Sequence, residues 1–97
     1  MRPVRWSKRA DTSLASIFIY LAERNPEAAQ KIAHRIADAG DALGEHSSGR
    51  PGPVPHSYFK SLPDVSYVIS YRIDRRGTTE TVVILDVIHS RRRRIPG

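Results

Sequence analysis

The chain has 97 residues, no cysteine and a net charge of +6. This length supports one small domain over residues 1–97, and a content of 39% hydrophobic and 27% charged residues is typical of a folded protein, not of a disordered one. The absence of cysteine excludes disulfides and thiolate chemistry, and without a long apolar run or a signal segment we expect a cytoplasmic protein.

The N-terminal half predicts a short strand followed by two helices. Val4–Trp6 has the pattern of an edge strand, and Ser7 is a suitable N-cap for the helix after it. This first helix is predicted by apolar residues at helical spacing: Leu14, Ile17, Phe18 and Leu21. The residues Asn25-Pro26-Glu27 end it and begin the second helix, whose apolar positions are Ala29, Ile32, Ala33, Ile36 and Leu43. So short a connection predicts an antiparallel αα-hairpin.

The C-terminal half predicts strands. Residues 44–56 are dense in Gly and Pro and predict a loop. Strands are then predicted at Tyr58–Leu62, Val65–Ile73 and Val82–Ile88, with turns at 63–64 and 74–78. The middle strand places Tyr67, Ile69, Tyr71 and Ile73 on one face and Val68, Ser70 and Arg72 on the other. The order β-α-α-β-β-β predicts an α+β fold, a small antiparallel β-sheet with the N-terminal αα-hairpin packed on one face.

The strand Val82–Ile88 is followed by His89 and, after Ser90, by four arginines, Arg91–Arg94. Residues 1–48 carry seven basic and six acidic side chains, whereas residues 49–97 carry nine and four. Thirteen of the sixteen basic residues are arginine, which pairs bidentately with phosphate or carboxylate. The basic end therefore indicates a nucleic acid or an acidic protein as partner, with a merely solvated surface as the alternative.

Five segments of the chain form a recognisable series: Trp6–Ala10, Ile19–Ala29, Gly49–Gly52, Tyr67–Ile73 and Val87–Arg91. In order and approximate spacing they resemble the ParE/RelE superfamily of bacterial toxins, over nearly the whole chain. The resemblance implies the toxin of a type II toxin–antitoxin system. It implies metal-free mRNA cleavage on the ribosome for the RelE-like branch and poisoning of DNA gyrase for the ParE-like branch.

Metal-free RNA cleavage needs a general acid and base and cations that stabilise the charge developing on the phosphate. The candidates are His89 as acid or base and Arg72 and Arg91 as phosphate ligands, with Lys60 as a further ligand and Tyr71 as a supporting donor.

Three of these candidates also have a structural alternative. Tyr71 lies on the apolar face of its strand, where a core position is expected. Arg72 has two carboxylates that could pair with it, Asp74 and Asp86, and His89 at a strand end has no defined catalytic partner.

The comparison with the RelE-like branch favours the ParE-like branch. The catalytic basic positions of RelE-like toxins fall close to Phe59, Ser61 and Val68, and Lys60 is one residue off, on the opposite strand face. Of that set Arg91 matches, and a C-terminal tyrosine is missing. We therefore expect an inhibitor without enzymatic activity, cofactor or metal; the alternatives are a ribosome-dependent mRNA endonuclease and an inactive binding module.

The resemblance also implies a ParD-like antitoxin with an acidic C-terminal segment, a hetero-oligomer with it, and contact with operator DNA only through it. A groove beside the helical hairpin and the edge strand would receive the antitoxin. The expected antitoxin-binding residues are Trp6, Leu14, Phe18, Tyr20 and Arg72. The expected target-binding residues are Arg50, Lys60, Arg91, Arg92, Arg93 and Arg94.

Overall fold

The structure is a computed structural model that describes residues 2–52 and 54–92. Its elements are β1 (Val4–Trp6), α1 (Lys8–Ala22), α2 (Pro26–Ala42), β2 (Arg50–Pro51), β3 (Ser57–Leu62), β4 (Tyr67–Arg76), β5 (Thr79–His89) and a 3₁₀ turn (Ser90–Arg92). This order confirms the α+β prediction. The structure adds β2, a two-residue strand inside the predicted loop.

The two helices begin at the predicted caps. The Ser7 hydroxyl accepts a hydrogen bond from the Ala10 N–H at 3.0 Å, and the Asn25 side chain accepts one from the Ala28 N–H at 3.1 Å. Pro26 occupies the first turn of α2, where its missing N–H costs no helical hydrogen bond. Neither helix is long and apolar enough to span a membrane, as far as residues 2–52 and 54–92 are concerned.

The five strands form one sheet in the order β1-β5-β4-β3-β2. The strands β3, β4 and β5 form the predicted antiparallel meander, and β5 lies in the interior of the sheet. In one respect the sheet differs from the expected antiparallel arrangement, because β1 pairs parallel with β5, from Val4 opposite Val82 to Trp6 opposite Ile84. A parallel pair needs a long crossover connection, and the helical hairpin with the other strands supplies it.

The core lies between the helical hairpin and one face of the sheet. Its fully buried side chains include Ile36 inside α2, Leu43 at the C-terminal cap of α2, and Ile69, Tyr71 and Ile84 on the sheet. The core position expected for Tyr71 is confirmed, since its residue surface is 0% exposed.

Two local features shape the β4–β5 hairpin. The turn has two residues and begins with Gly77 at φ 59°, the left-handed conformation that glycine adopts at low cost. Further along, Tyr71 pairs with Ile84 but Ser70 pairs with Asp86, so Leu85 is an extra residue in β5. After this β-bulge, each side chain of β5 points to the sheet face opposite to the one that strict alternation predicts.

Candidate functional site

A groove runs between α1 and the part of β5 that β1 leaves uncovered. β1 pairs only with Val82–Ile84, and the described residues place no other strand beside 86–89 on that side. We call this depression the α1–β5 groove, and its volume is about 870 Å³. It is lined by Thr12, Ser13, Ser16, Ile17, Tyr20, Leu21, Ile32, Val65, Ser66, Tyr67, Asp86, Val87, Ile88, His89 and Arg91.

Asp86 links α1 to β5 at the groove. Its carboxylate accepts hydrogen bonds from the Ser13 hydroxyl at 2.5 Å and from the Val87 N–H at 2.8 Å, and it pairs with the Arg9 guanidinium at 3.2 Å. The sequence suggested Asp86 only as a possible partner of Arg72. The signal that could have found it is a single carboxylate inside the apolar run Val82–Ile88.

Aromatic side chains stand exposed on α1. Phe18 is 37% exposed and Tyr20, which lines the groove, is 55% exposed, whereas Leu14 packs partly buried against the core. The Arg24 guanidinium lies 3.9 Å from the centroid of the Tyr20 ring, a cation–π contact that holds the ring in place. Exposure of large apolar groups beside an open strand edge is typical of a protein-binding surface.

His89 lies at the end of β5, on the face of the sheet that carries the helices. It pairs across the strands with Tyr67, and the two rings meet edge to face with centroids 5.2 Å apart. Its Nδ1 accepts a hydrogen bond from the Arg91 N–H at 3.1 Å. In the neutral ring this leaves the proton on Nε2, which can donate a hydrogen bond. The expected acid or base role of His89 stays a prediction.

Arg72 lies away from this histidine, on the opposite face of the sheet. Tyr67, the strand partner of His89, lies five residues before Arg72 in β4, which corresponds to about 17 Å along the strand. The structure thus brings His89 and Arg91 together and leaves Arg72 apart from both.

Arg72 pairs with Asp74 in two hydrogen bonds of 2.6 and 3.2 Å. Of the two partners proposed for it, Asp74 is correct, since Asp86 pairs with Arg9 instead. The hydrogen bond from Arg72 lowers the pKa of Asp74, and the same bond raises the pKa of the guanidinium.

The expected target-binding residues are distributed over several surfaces. Arg50 is exposed in β2, Lys60 faces the helix side of the sheet, and Arg91 is exposed after β5. Lys60 was expected on the strand face opposite to that of Phe59 and Ser61. Its pairing with the core residue Ile69 of β4 confirms this. The Arg92 side chain and Arg93–Arg94 lie outside the described residues, so their roles stay predictions.

Trp6 is half-buried between β1 and α2. Its indole N–H donates to the Asp41 carboxylate at 3.0 Å, and its ring lies over Gly40, where an added Cβ would stand 2.4 Å from it. This packing gives Trp6 a structural role, and its expected antitoxin contact stays a prediction. Among residues 2–52 and 54–92, no three His, Asp or Glu side chains lie close enough to hold a metal ion.

Comparison with known families decides the class of this protein. The family model described as the ParE toxin of the type II toxin–antitoxin system, parDE, matches residues 4–94. The chain belongs to the ParE toxin family. Membership confirms the predicted type II toxin and the ParE-like branch of the superfamily.

This ParE-family chain is also similar to one individual protein by sequence and to one solved structure by fold. It is 40% identical over 88 residues to the provisionally named toxin Y4kP of Sinorhizobium fredii, covering 90% of this chain and 86% of that protein. The chromosomal ParDE toxin–antitoxin system of P. aeruginosa contains a chain that superposes with a TM-score of 0.80 at 22% identity. That likeness covers 92% of this chain and 96% of the other, and it shows the shared fold.

Proposed function

We propose that this ParE-family toxin arrests growth in the cytoplasm by acting on DNA gyrase, and that a ParD-like antitoxin neutralises it by occupying the α1–β5 groove. The observation that carries the antitoxin part is the open edge of β5 beside exposed aromatic side chains of α1. The P. aeruginosa structure, whose name pairs ParD with ParE, supports the same partner.

The groove offers two kinds of contact to an antitoxin segment. An apolar helix can cover Tyr20 and Ile17 on α1, and an extended segment can add to the backbone of β5 after Asp86. Arg9 and Arg91, both exposed near the groove, complement acidic residues on the partner. This combination fits the acidic C-terminal segment expected of a ParD-like protein.

Inhibition through binding, without catalysis, is supported by the placement of the candidate catalytic residues. A ribonuclease needs a base and phosphate ligands around one reacting phosphate. Here His89 and Arg72 lie on opposite faces of the sheet, and the Nδ1 of the histidine already accepts a backbone hydrogen bond. An inhibitor needs no such convergence.

A gyrase assay tests the proposed target. Purified toxin is added to gyrase and plasmid DNA, and supercoiling and trapped cleaved DNA are measured with and without ATP. We expect loss of supercoiling and accumulation of cleaved DNA. No effect on gyrase, combined with cleavage of ribosome-bound mRNA that His89→Ala abolishes, would replace the proposal with the endonuclease.

Two adjacent residues of α1 provide a matched test of the antitoxin site. Tyr20 lines the groove, whereas Ile19, 60% exposed, points away from it. The probe is the ParD-like product expected from a neighbouring short reading frame, measured by calorimetry. We expect Tyr20→Ala to weaken binding by about tenfold or more and Ile19→Ala by less than about twofold. Equal effects of the two substitutions would place the antitoxin elsewhere.

A further inference from the structure

The two edges of the sheet differ in what protects them from the addition of another strand. At one edge the last strand, β2, has only two residues, and one of them is Pro51, which has no N–H to donate. At the other edge β1 covers only Val82–Ile84, so the described residues place no strand beside the end of β5. The end of β5 is therefore the edge at which another chain could add.

The backbone of this open edge belongs to Val87 and His89. The Ser90 N–H donates to the Ser66 carbonyl, just before β4, at 2.9 Å. The backbone groups of successive residues point to opposite sides of a strand. Those of residues 86, 88 and 90 therefore face β4, and those of residues 87 and 89 face away from it. An added antiparallel strand would exchange its hydrogen bonds with Val87 and His89.

The Asp86 side chain already covers one of these backbone groups. Its Oδ1 accepts hydrogen bonds from the Val87 N–H at 2.8 Å and from the Ser13 hydroxyl at 2.5 Å. Its Oδ2 lies 3.2 Å from the Arg9 guanidinium. By strand register Asp86 lies opposite Ser70, on the sheet face away from the helices, yet both of these side-chain partners belong to α1. The side chain therefore crosses the open edge, and its carboxylate lies where an added strand would lie.

The strand that would fit this edge is the same edge of a second copy of the chain. An antiparallel pair with a twofold axis at Ile88 places Val87 of each copy opposite His89 of the other. Both residues then present their backbone groups to the shared edge, and Tyr20, 55% exposed in the adjacent groove, adds apolar contact. Because Asp86 holds the Val87 N–H, each Val87–His89 pair could form only one of its two hydrogen bonds.

We infer that Asp86 blocks the open edge of β5 against a second copy of the chain and keeps the free toxin monomeric. The twofold axis makes the block act twice, once on each strand. The carboxylate keeps three partners in this position, so no unpaired charge accompanies the block. The inference goes beyond the proposed function, because it concerns the toxin in the absence of gyrase and antitoxin. It also accounts for the one carboxylate in the apolar run Val82–Ile88.

Analytical ultracentrifugation of the full-length chain at physiological salt tests the inference. The wild type should sediment as a monomer. Asp86→Ala frees the Val87 N–H of both copies, and we expect it to associate at least about tenfold more tightly than the wild type.

Two matched controls separate the covered N–H from the charge. Asp86→Asn removes the charge but keeps an oxygen that can accept the Val87 N–H. Arg9→Gln removes the ion pair and leaves the hydrogen bond from Val87 in place. Both variants should remain monomeric. If either control associates as tightly as Asp86→Ala, the inference is wrong, because loss of charge would then cause the association. A folded Asp86→Ala that stays monomeric, or a wild type that associates equally, would overturn it as well.

Hydrogen exchange followed by NMR keeps the test decisive if the alanine variant does not fold. In the wild type, the Val87 and His89 N–H groups point to the same edge, but only that of Val87 is held by the Asp86 carboxylate. We expect the Val87 N–H to exchange at least about tenfold more slowly than the His89 N–H. Equal exchange rates would refute the block. Neither experiment contains gyrase or antitoxin, so its failure leaves the proposed function intact.

Discussion

Tyr71→Phe tests how much the hydrogen bond from the Tyr71 hydroxyl contributes to the stability of this fold. The tyrosine hydroxyl donates to the Ser48 carbonyl at 2.8 Å, and the ring stacks on Tyr58 with centroids 5.3 Å apart. The substitution removes the hydrogen bond and keeps the buried ring. It therefore isolates the link between β4 and the loop that follows α2.

The expected loss of stability is modest. A hydrogen bond of this kind contributes about 1 kcal/mol, and Ser48 is exposed, so water can satisfy the carbonyl that loses its partner. For a domain of this size the loss corresponds to a fall in Tm of about 4–8 °C. Tyr71→Ala also removes the buried ring and should cost about 3–5 kcal/mol.

The difference between the wild type and the phenylalanine variant should also depend on pH. Burial raises the pKa of Tyr71, so the folded protein favours the neutral phenol. The stabilisation is complete below the unfolded pKa of about 10, and it decreases as the pH rises from there through the higher folded pKa. The advantage of the wild type should therefore shrink above that pH.

Urea denaturation of the three proteins at neutral and alkaline pH measures these quantities, and a growth assay accompanies it. The reasoning fails if Tyr71→Phe costs as much as Tyr71→Ala. It also fails if the phenylalanine variant keeps its stability but no longer arrests growth, since the hydroxyl would then act on the target.

Three further changes probe the scaffold. Ser7→Ala removes the cap of α1 and the hydroxyl donor to the Leu85 carbonyl, and chemical denaturation should show a loss of about 1–2 kcal/mol, whereas no loss would disprove the cap. The hydrogen bond from Arg35 lowers the pKa of Asp64, so this pair stabilises the fold above the unfolded pKa of about 4 and ceases to do so as the pH falls through the lower folded value. NMR titration should show this pKa rising in Arg35→Gln. Gly49→Ala forces a side chain onto φ 133° and against a carbonyl oxygen of β3, and thermal melting should report a loss of about 1–3 kcal/mol; an unchanged Tm would contradict this placement.

Local patterns were sufficient to predict both helices and four of the five described strands. Helical spacing, the two caps and the period-two runs each depend on neighbouring residues, and they located both helices and the β3–β5 meander. The strand β2 was missed because two residues inside a Gly- and Pro-rich loop carry no periodicity. The parallel pairing of β1 was missed because it joins residues from opposite ends of the chain.

The candidate site shows where sequence periodicity stops being informative. Val83 and His89 are six residues apart, so strict alternation would put His89 on the same face as Val83 and its partner Arg72. The bulge at Leu85 reverses the alternation and moves His89 to the helix side. A pattern of apolar residues does not reveal such an insertion, so the sequence could not show that His89 and Arg72 lie on opposite faces of the sheet.

The parallel pairing of β1 with β5 also has a consequence for when the toxin can fold during its synthesis. The first of the five strands to leave the ribosome pairs with the last, so the sheet cannot close until residues as far as β5 have been synthesised. Until then the apolar side of α1 has no sheet to pack against. The sheet therefore closes only late in synthesis. An antitoxin already present in the cell has time to bind the nascent chain before the toxin is fully folded.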